Sequence, residues 1–232
     1  MRKTEISDAW YGSNGPDNDV VLSSRVRLAR NLANFPFPQG FKNSDGDRVQ
    51  SLVFDAFHKI DENETYQSLL ISELDSLGQK ILSERGVIEP DSILQTSSGL
   101  ILRGDGRVSC TVNCYDHIRL SSFVTGLDLS NAKKLVKEID DKLQKHLQIA
   151  GSVEFGYLTS AIKDAGSGMK ISLLVHLPAI SYGGMLDRVL KENMSEGFSV
   201  IGYCGSGMTL GSSLGAFYKI STEVSFSEDY EI

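Results

Sequence analysis

The stretch GPDNDVVLSSRVRLARNL, residues 15–32, holds the most informative pattern of the chain. It opens on turn-forming residues, becomes apolar at 20–22, and then places Arg25 and Arg27 two positions apart. The pattern predicts a short strand at 20–22, followed by a short helix or a loop. Two arginines at this spacing can grip phosphate oxygens at several points, because each guanidinium keeps its charge and offers five fixed donors. Composition alone favours an exposed basic helix face instead.

The bulk composition limits the class of protein. With 232 residues the chain fits one large domain, or two small ones packed as a unit. The net charge of −7 argues against broad binding of nucleic acid or anionic membrane, although a local basic pocket is compatible with it. The three cysteines, without C-x-x-C spacing, indicate reduced thiols. There is no signal peptide and no apolar run of about 18 residues, so we expect a soluble, cytoplasmic protein without membrane contact.

Apolar residues at helical spacing predict four helices. The clearest is 128–149, with Ser130 as the expected N-cap and an apolar stripe at four-residue steps. The other predicted helices cover 45–57, 73–85 and 184–194.

Strand composition occurs between and after these helices, and Gly-Asp-Gly at 104–106 marks a hairpin turn. Because helices and strands do not alternate regularly, the sequence predicts an α+β fold: one antiparallel β-sheet flanked by helices. We expect a single domain over 1–232, with an irregular opening segment at 1–19. The predicted strands after the opening segment are 99–103, 107–113, 117–121, 153–159, 169–177, 198–203 and 217–226.

Five ordered blocks resemble the catalytic domain of the bacterial protein-arginine kinases, within the guanidino-kinase (phosphagen kinase) family. The first, Ser23-Ser24-Arg25-Val26-Arg27, matches the motif S-x-R-x-R. The others are LSERGVIEPD (82–91), VNCYDHIRL (112–120), GYLTSAIKDAGSGMKISLLVHLPAI (156–180) and FSVIGYCGSG (198–207). They resemble, in that order, L-x-E-R-H-x-I-x-P, V-N-E-E-D-H-I-R, G-Y-L-T-x-C-P-T-N-x-G-T-G-M-R-A-S-V-x-L-H-L-P-A and V-V-R-G-x-Y-G-E-G.

The resemblance runs from about residue 15 to residue 232 and implies the antiparallel sheet that guanidino kinases share, more distantly, with glutamine synthetase. It also implies that the C-terminal regulatory domain of full-length arginine kinases is missing from this chain. The activity it implies is phosphoryl transfer from ATP, with Mg²⁺, to a guanidinium nitrogen. Such transfer depends mainly on positioning and charge neutralisation.

The resemblance implies a set of nucleotide- and phosphate-binding residues. Arg25, Arg27 and Arg119 match three of the family's five phosphate-binding arginines. Lys170 stands at the fourth and keeps the charge without the planar fork, whereas Ile201, at the fifth, has no charge. The implied set is Ser23, Ser24, Arg25, Val26, Arg27, Arg119, Lys170 and Ser172.

Several positions that carry the family's chemistry are altered. Tyr115 stands at the catalytic Glu, Ser206 at the substrate-binding Glu, Ala161 at the reactive Cys, and Gly86 at the His that contacts adenine. A tyrosine is not an ionised base near neutral pH unless its pKa falls by several units. Losing a positioned base costs about 10²–10⁴-fold in rate.

The remaining candidates have plainer interpretations. Asp116 and His117 are expected to hold the turn and the sheet, and His176 to be a strand residue rather than a ligand. Cys110, Cys114 and Cys204 are expected to be small sheet residues, not nucleophiles or metal ligands, and no metal site is predicted. Glu84 and Asp116 are the motif carboxylates that could replace the missing base.

The favoured hypothesis is therefore a degenerate kinase domain with a regulatory or nucleotide-binding role. The alternatives are an active ATP-dependent kinase with a shifted acceptor, and a module that binds phosphoarginine without transferring it. By resemblance, the expected partner is a protein of the quality-control machinery, either a zinc-binding activator or a Clp-type unfoldase.

Overall fold

The computed structural model describes residues 10–61, 65–88, 95–193, 197–203 and 213–223. The helices are α1 (Asp45–Ile60), α2 (Ser76–Glu84), α3 (Leu129–Leu143), α4 (Pro178–Tyr182) and α5 (Leu186–Asn193). The strands are β1 (Val21–Arg30), β2 (Tyr66–Leu70), β3 (Gly99–Arg103), β4 (Val108–Val112), β5 (Ile118–Thr125), β6 (Gly151–Ser152), β7 (Gly156–Tyr157), β8 (Met169–His176), β9 (Phe198–Gly202) and β10 (Phe217–Thr222).

One antiparallel sheet organises the described residues. Its order is β2-β3-β4-β5-β1-β8-β10-β9, and β6 and β7 form a separate small hairpin. The predicted α+β fold, an antiparallel sheet flanked by helices, is confirmed. No helix in the described part of the chain is long and apolar enough to cross a membrane.

The central strand β1 is longer than the strand predicted at 20–22. Instead of a short strand followed by a helix or loop, Val21–Arg30 forms one ten-residue strand, paired with β5 on one side and β8 on the other. Arg25 and Arg27 alternate with Val26 and Leu28, which is the period of a strand. Composition favoured a solvated helix because arginine is rarely buried, and paired acidic residues make the burial tolerable here.

The main core lies between the sheet and two helices. Val26 and Leu28 of β1 pack there with Val53 of α1 and Val136 of α3. On the opposite face, α2 and the segments around it cover the sheet near β3, where Leu82 packs against Leu100. Helices therefore flank both faces, and the space left on the second face becomes the candidate site.

A buried ion pair holds α3 against the end of β1. Arg30 Nη2 donates to Asp140 Oδ2 at 2.8 Å, and the two side chains are 3% and 8% exposed. The guanidinium also lies 3.6 Å from the ring centroid of Tyr157 and donates to the carbonyl oxygen of Ser167. This pair shares the core face with Val26 and Leu28, away from Arg25 and Arg27.

Other boundaries differ from the predictions. Helix α3 ends at Leu143, not 149, and its N-cap is Asp128, which accepts from the Asn131 N–H, rather than Ser130. The chain turns after Leu143 so that Leu147 can enter the core and Ile149 can bridge to Leu32.

The remaining differences concern short elements. Of the strand predicted at 153–159, only Gly156–Tyr157 is strand, and residues 153–155 form the turn of the β6–β7 hairpin, where Val153 and Phe155 are exposed. Strand β2 and helix α4 were not predicted. The predicted helix 73–85 starts later, at Ser76, because Asp75 caps it by accepting from the Gly78 N–H. Residues 224–226 of the last predicted strand lie outside the described residues.

Hydrogen bonds with His117 hold the segment that follows β1. The Leu32 N–H donates to His117 Nδ1 at 2.9 Å, so the proton resides on Nε2, which donates to the Pro36 carbonyl at 2.9 Å. The ring, with 0% exposure, stacks on Phe41. Burial lowers the pKa of His117 from its ordinary 6.5 to about 4. His117 is therefore a neutral structural residue here.

His117 makes stability depend on acid pH. Its folded pKa lies below the unfolded value, so its contribution is complete above pH 6.5 and is lost as the pH falls towards 4. Between pH 7.5 and pH 5 we expect wild type to lose about 2 kcal/mol more unfolding free energy than His117→Gln, measured by urea denaturation. The exposed His146→Gln variant should follow wild type. An equal loss in wild type and His117→Gln would contradict this role.

The arginine face of the sheet

The two faces of β1 carry different chemistry. Arg25 and Arg27 point to the face opposite the main core, whereas Ser24 and Val26 point into it. Ser24 Oγ donates to the Gly126 carbonyl at 2.7 Å, and Val26 is a fully buried core residue. The side chains of Ser24 and Val26, predicted as phosphate-binding, are therefore on the wrong face to contact a ligand held by the arginines.

The neighbouring strands bring further predicted residues to the same face. Ser172 of β8 is directly opposite Arg25, and Lys170 is opposite Arg27. On the other side, Arg119 of β5 is opposite Ala29. Directly opposed residues in an antiparallel pair share a face. The residues that converge on this face, called the arginine face below, are Ser23, Arg25, Arg27, Arg119, Lys170 and Ser172.

Arg25 has a mixed polar and aromatic environment. Its guanidinium donates to Ser121 Oγ at 3.0 Å and lies 5.4 Å from the ring centroid of Phe123. Phe123 is stacked in turn on Trp10, which belongs to the opening segment. Arg25 is thus held in one orientation by the strand beside it.

Arg27 and Arg119 are paired with carboxylates. Arg27 Nη2 lies 3.0 Å from Asp164 Oδ2, and Arg119 Nη2 lies 3.8 Å from the same oxygen. Arg119 Nε donates to Asp116 Oδ2 at 3.1 Å. Arg27, Arg119 and Asp164 are less than 10% exposed. Buried charges of this kind need such partners, because desolvation of an unpaired ion is costly.

Asp164 was missed by the sequence analysis. It lies in the 156–180 block, where the family motif has Asn, so an acidic residue at a matched polar position was the available signal. The short 3₁₀ turn Ile162–Asp164 sets its position, and its own N–H donates to the Ala161 carbonyl at 2.9 Å. Ala161, at the position of the reactive Cys, serves here as the residue before that turn.

Tyr115 and Asp116 are both occupied by structural contacts. The Tyr115 ring centroid is 4.4 Å from the Arg119 guanidinium carbon, in a cation–π contact. Asp116 has 0% exposure and accepts from Asn31 Nδ2, the Ser160 N–H and Arg119 Nε. These contacts agree with the structural interpretation of Asp116 and speak against its use as a replacement base.

A cavity of about 820 Å³ opens on the arginine face. Ser23, Arg25 and Ser172 line it, together with Lys219 of β10. Arg27, Arg119 and Lys170 do not line it and lie beside it on the same face. The predicted phosphate set is therefore divided between the cavity wall and the ion-paired cluster.

Lys219 and Tyr203 line the cavity but belong to none of the matched motif positions. Lys219 is directly opposite Ile201, the uncharged residue at the fifth arginine position, and so places a cation in the same row. Tyr203 lines the cavity beside Gly86, where a Cβ would lie 3.2 Å from its hydroxyl. That hydroxyl donates to the Glu84 carbonyl at 2.6 Å. No motif pointed to either residue.

The remaining candidates are structural or lie outside the described residues. His176 stacks on Phe217 with ring centroids 4.5 Å apart, as expected of a strand residue. Cys110 and Cys114 are buried, and burial raises the pKa of the Cys110 thiol far above its ordinary value. Ser206 and Cys204 lie outside the described residues. Within the described ranges no group of three His, Cys, Asp or Glu side chains could hold a metal ion.

A second cavity of about 540 Å³ lies near the sheet edge, lined by Tyr66 of β2, Arg103 and Lys142. The Arg103–Asp105 ion pair, 2.8 Å long, borders both cavities. None of the predicted site residues lines the second cavity, so the larger cavity is the candidate functional site.

Comparisons of sequence find known proteins that are similar to this chain. A sequence model of the ATP:guanido phosphotransferase C-terminal catalytic domain matches residues 48–229. A protein-arginine kinase of Syntrophomonas wolfei is 35% identical over 228 residues, covering 96% of this chain and 63% of the relative. A protein-arginine kinase of Geobacillus sp. (strain WCH70) is 33% identical, with 96% and 62% covered. The chain thus spans slightly less than two thirds of the length of these relatives.

Solved structures show the same fold at low identity. The duplicated taurocyamine kinase of Schistosoma mansoni, solved with bound transition-state-analogue components, superposes with a TM-score of 0.75 at 20% identity, covering 90% of this chain and 30% of that one. A lombricine kinase superposes with a TM-score of 0.73 at 16% identity, covering 93% and 63%. The chain belongs to the ATP:guanido phosphotransferase family and is a protein-arginine kinase-like catalytic domain.

Proposed function

We propose that this domain binds a nucleotide at the arginine face and transfers phosphate poorly, so that its role is regulatory. The observation that carries the proposal is the division of the site. One part is a cavity with cations on its wall, and the other is a cluster in which arginines are ion-paired with carboxylates.

The cavity has the chemistry of a nucleotide site. Arg25 and Lys219 would attract phosphate oxygens, and the hydroxyls of Ser23 and Ser172 would donate to them. Phe123 and Tyr203 supply aromatic surface for a base. Mg²⁺ would be held mainly by the nucleotide's phosphates and by water, as is usual for this ion. The volume of about 820 Å³ lies in the usual range for small-molecule sites.

Transfer to a guanidinium is accelerated by a positioned base that removes a proton, and the resemblance assigns that role to a carboxylate. Tyr115, at the position that the resemblance assigns to the catalytic Glu, packs its ring against Arg119 instead. Asp116 and Asp164 are committed to arginines. Glu84 borders the cavity, but its side chain is on the exposed end of α2, remote in sequence from the transfer motif. We therefore propose a loss of roughly 10²–10⁴-fold in the chemical step.

A second candidate function is an active kinase with a different acceptor. It is favoured by the convergence of Arg25, Arg27, Arg119 and Lys170 on one face, which phosphoryl transfer requires. The two candidates differ in turnover, not in binding.

A regulatory domain needs a partner. In keeping with the resemblance, we propose a cytoplasmic protein of the quality-control machinery, of the zinc-binding activator or Clp-type unfoldase kind. Co-purification with the activator or unfoldase from the same genome tests this, and the absence of either from the eluate would count against it.

Nucleotide binding should depend on Arg25. We expect Arg25→Gln to weaken Mg-ADP binding about 10- to 100-fold, because it removes hydrogen bonds from a charged donor to phosphate. Isothermal titration calorimetry of wild type and variant measures this.

The exposed Arg188→Gln variant is the matched control, since it removes the same charge from α5 and should leave affinity unchanged. Equal affinities in wild type and Arg25→Gln would place the nucleotide elsewhere. Binding of phosphoarginine without any binding of ADP or ATP would instead support the phosphoarginine-binding module.

Phosphoryl transfer should be slow. With labelled ATP and an unfolded, arginine-rich protein as acceptor, we expect a rate at least about 100-fold below that of the Geobacillus relative assayed in parallel. A rate similar to the relative's would overturn the degenerate assignment and support the active kinase.

A further inference from the structure

We propose that the Asp164 carboxylate stands where the terminal phosphate of a nucleoside triphosphate would bind, so that the site selects a diphosphate over a triphosphate. This inference rests on the proposed nucleotide site and adds its specificity. Asp164 would then be a specificity-determining residue.

Asp164 lies between two arginines. Its Oδ2 lies 3.0 Å from Arg27 Nη2 and 3.8 Å from Arg119 Nη2. An oxygen anion bridging two guanidinium groups has the environment that they would offer to a phosphate oxygen. Both arginines are buried on the arginine face, so their donors are directed inside the protein.

The cavity includes Arg25 but not Arg27. Arg25 and Arg27 are two residues apart on β1, so their Cα atoms are about 7 Å apart along the strand. The cavity reaches Arg25 and Ser172 but does not include Arg27. A phosphate chain that began at Arg25 and extended along the strand would meet Asp164 at its far end.

The charge of Asp164 disfavours a terminal phosphate at this position. A terminal phosphate brought next to Asp164 would face a like charge in a poorly solvated place, where Coulomb repulsion is strong. The arginines there are also partly neutralised by the carboxylates of Asp164 and Asp116. A diphosphate that ends at Arg25 avoids both the repulsion from Asp164 and the weakened arginines. The site would thus discriminate against the triphosphate by repulsion.

Asp164 is held in place before any ligand arrives. Its own N–H and the Thr159 hydroxyl both donate to the Ala161 carbonyl, at 2.9 and 2.7 Å. The Ser160 N–H donates to Asp116 at 2.7 Å. This bond ties the residues before Asp164 to the loop that carries Asp116, which also accepts from Arg119. The carboxylate therefore needs no rearrangement to block the position.

The test compares the dissociation constants of Mg-ADP and Mg-ATP for wild type and Asp164→Asn by isothermal titration calorimetry. Asparagine keeps the shape and can still accept from Arg27, so the turn should persist. We expect wild type to bind ADP at least about tenfold more tightly than ATP, and Asp164→Asn to remove that preference by tightening ATP binding.

The matched control is Asp140→Asn, which disrupts a different buried Arg–Asp pair, the one with Arg30 on the core face. It should lower thermal stability and leave the ADP-to-ATP ratio as in wild type. Equal wild-type affinities for ADP and ATP, or an unchanged ratio in a folded Asp164→Asn protein, would overturn the inference while leaving the nucleotide site standing.

Binding of neither nucleotide by wild type or Asp164→Asn would overturn the proposed function itself. If Asp164→Asn does not fold, the wild-type ratio alone decides the inference.

Discussion

The structure depends on the burial of positively charged side chains along its central strand. Arg25, Arg27 and Arg30 all belong to β1 and are at most 8% exposed. A buried guanidinium is tolerated only with counter-charges and hydrogen-bond acceptors around it. Asp164 meets this need for Arg27, Asp140 for Arg30, and Ser121 contributes to Arg25.

These pairings determine where distant parts of the chain lie. Asp140 brings α3 to the core face of β1, and Asp164 brings the 3₁₀ turn after β7 to the arginine face. Asp116, which pairs with Arg119, also accepts from Asn31 just beyond β1. The same charges that would bind a phosphate therefore also hold the loops of the site. Tyr115, at the position that the resemblance assigns to the catalytic Glu, fits this framework, because its ring packs on Arg119.

Much of the fold was accessible from the sequence because ordered motifs specified the family, and period-two or period-four patterns marked β3 to β5, α1 and α3. Strand β1 was predicted only at its start, over 20–22, because arginines signal exposure and the distant Asp164 and Asp140 that pair with Arg27 and Arg30 are not visible in the local sequence. Motif matching selected Arg25, Arg27, Arg119, Lys170 and Ser172, which the structure places on one face, and their binding of nucleotide stays a prediction. Motif matching could not show that Ser24 and Val26 lie on the opposite face, because the alternation of faces follows only once the segment is known to be a strand. Asp164, Lys219 and Tyr203 were missed because their importance arises from tertiary neighbours rather than from spacing.

We propose that the arginine face is a nucleotide site whose inner end is already filled by Asp164. A crystal structure of the chain with ADP and Mg²⁺ is the sharpest test of this proposal. We predict a diphosphate against Arg25 and Ser172, with Asp164 still paired to Arg27. Nucleotide bound in the cavity near Tyr66 and Lys142, or phosphate lying between Arg27 and Arg119 with Asp164 displaced, would contradict it.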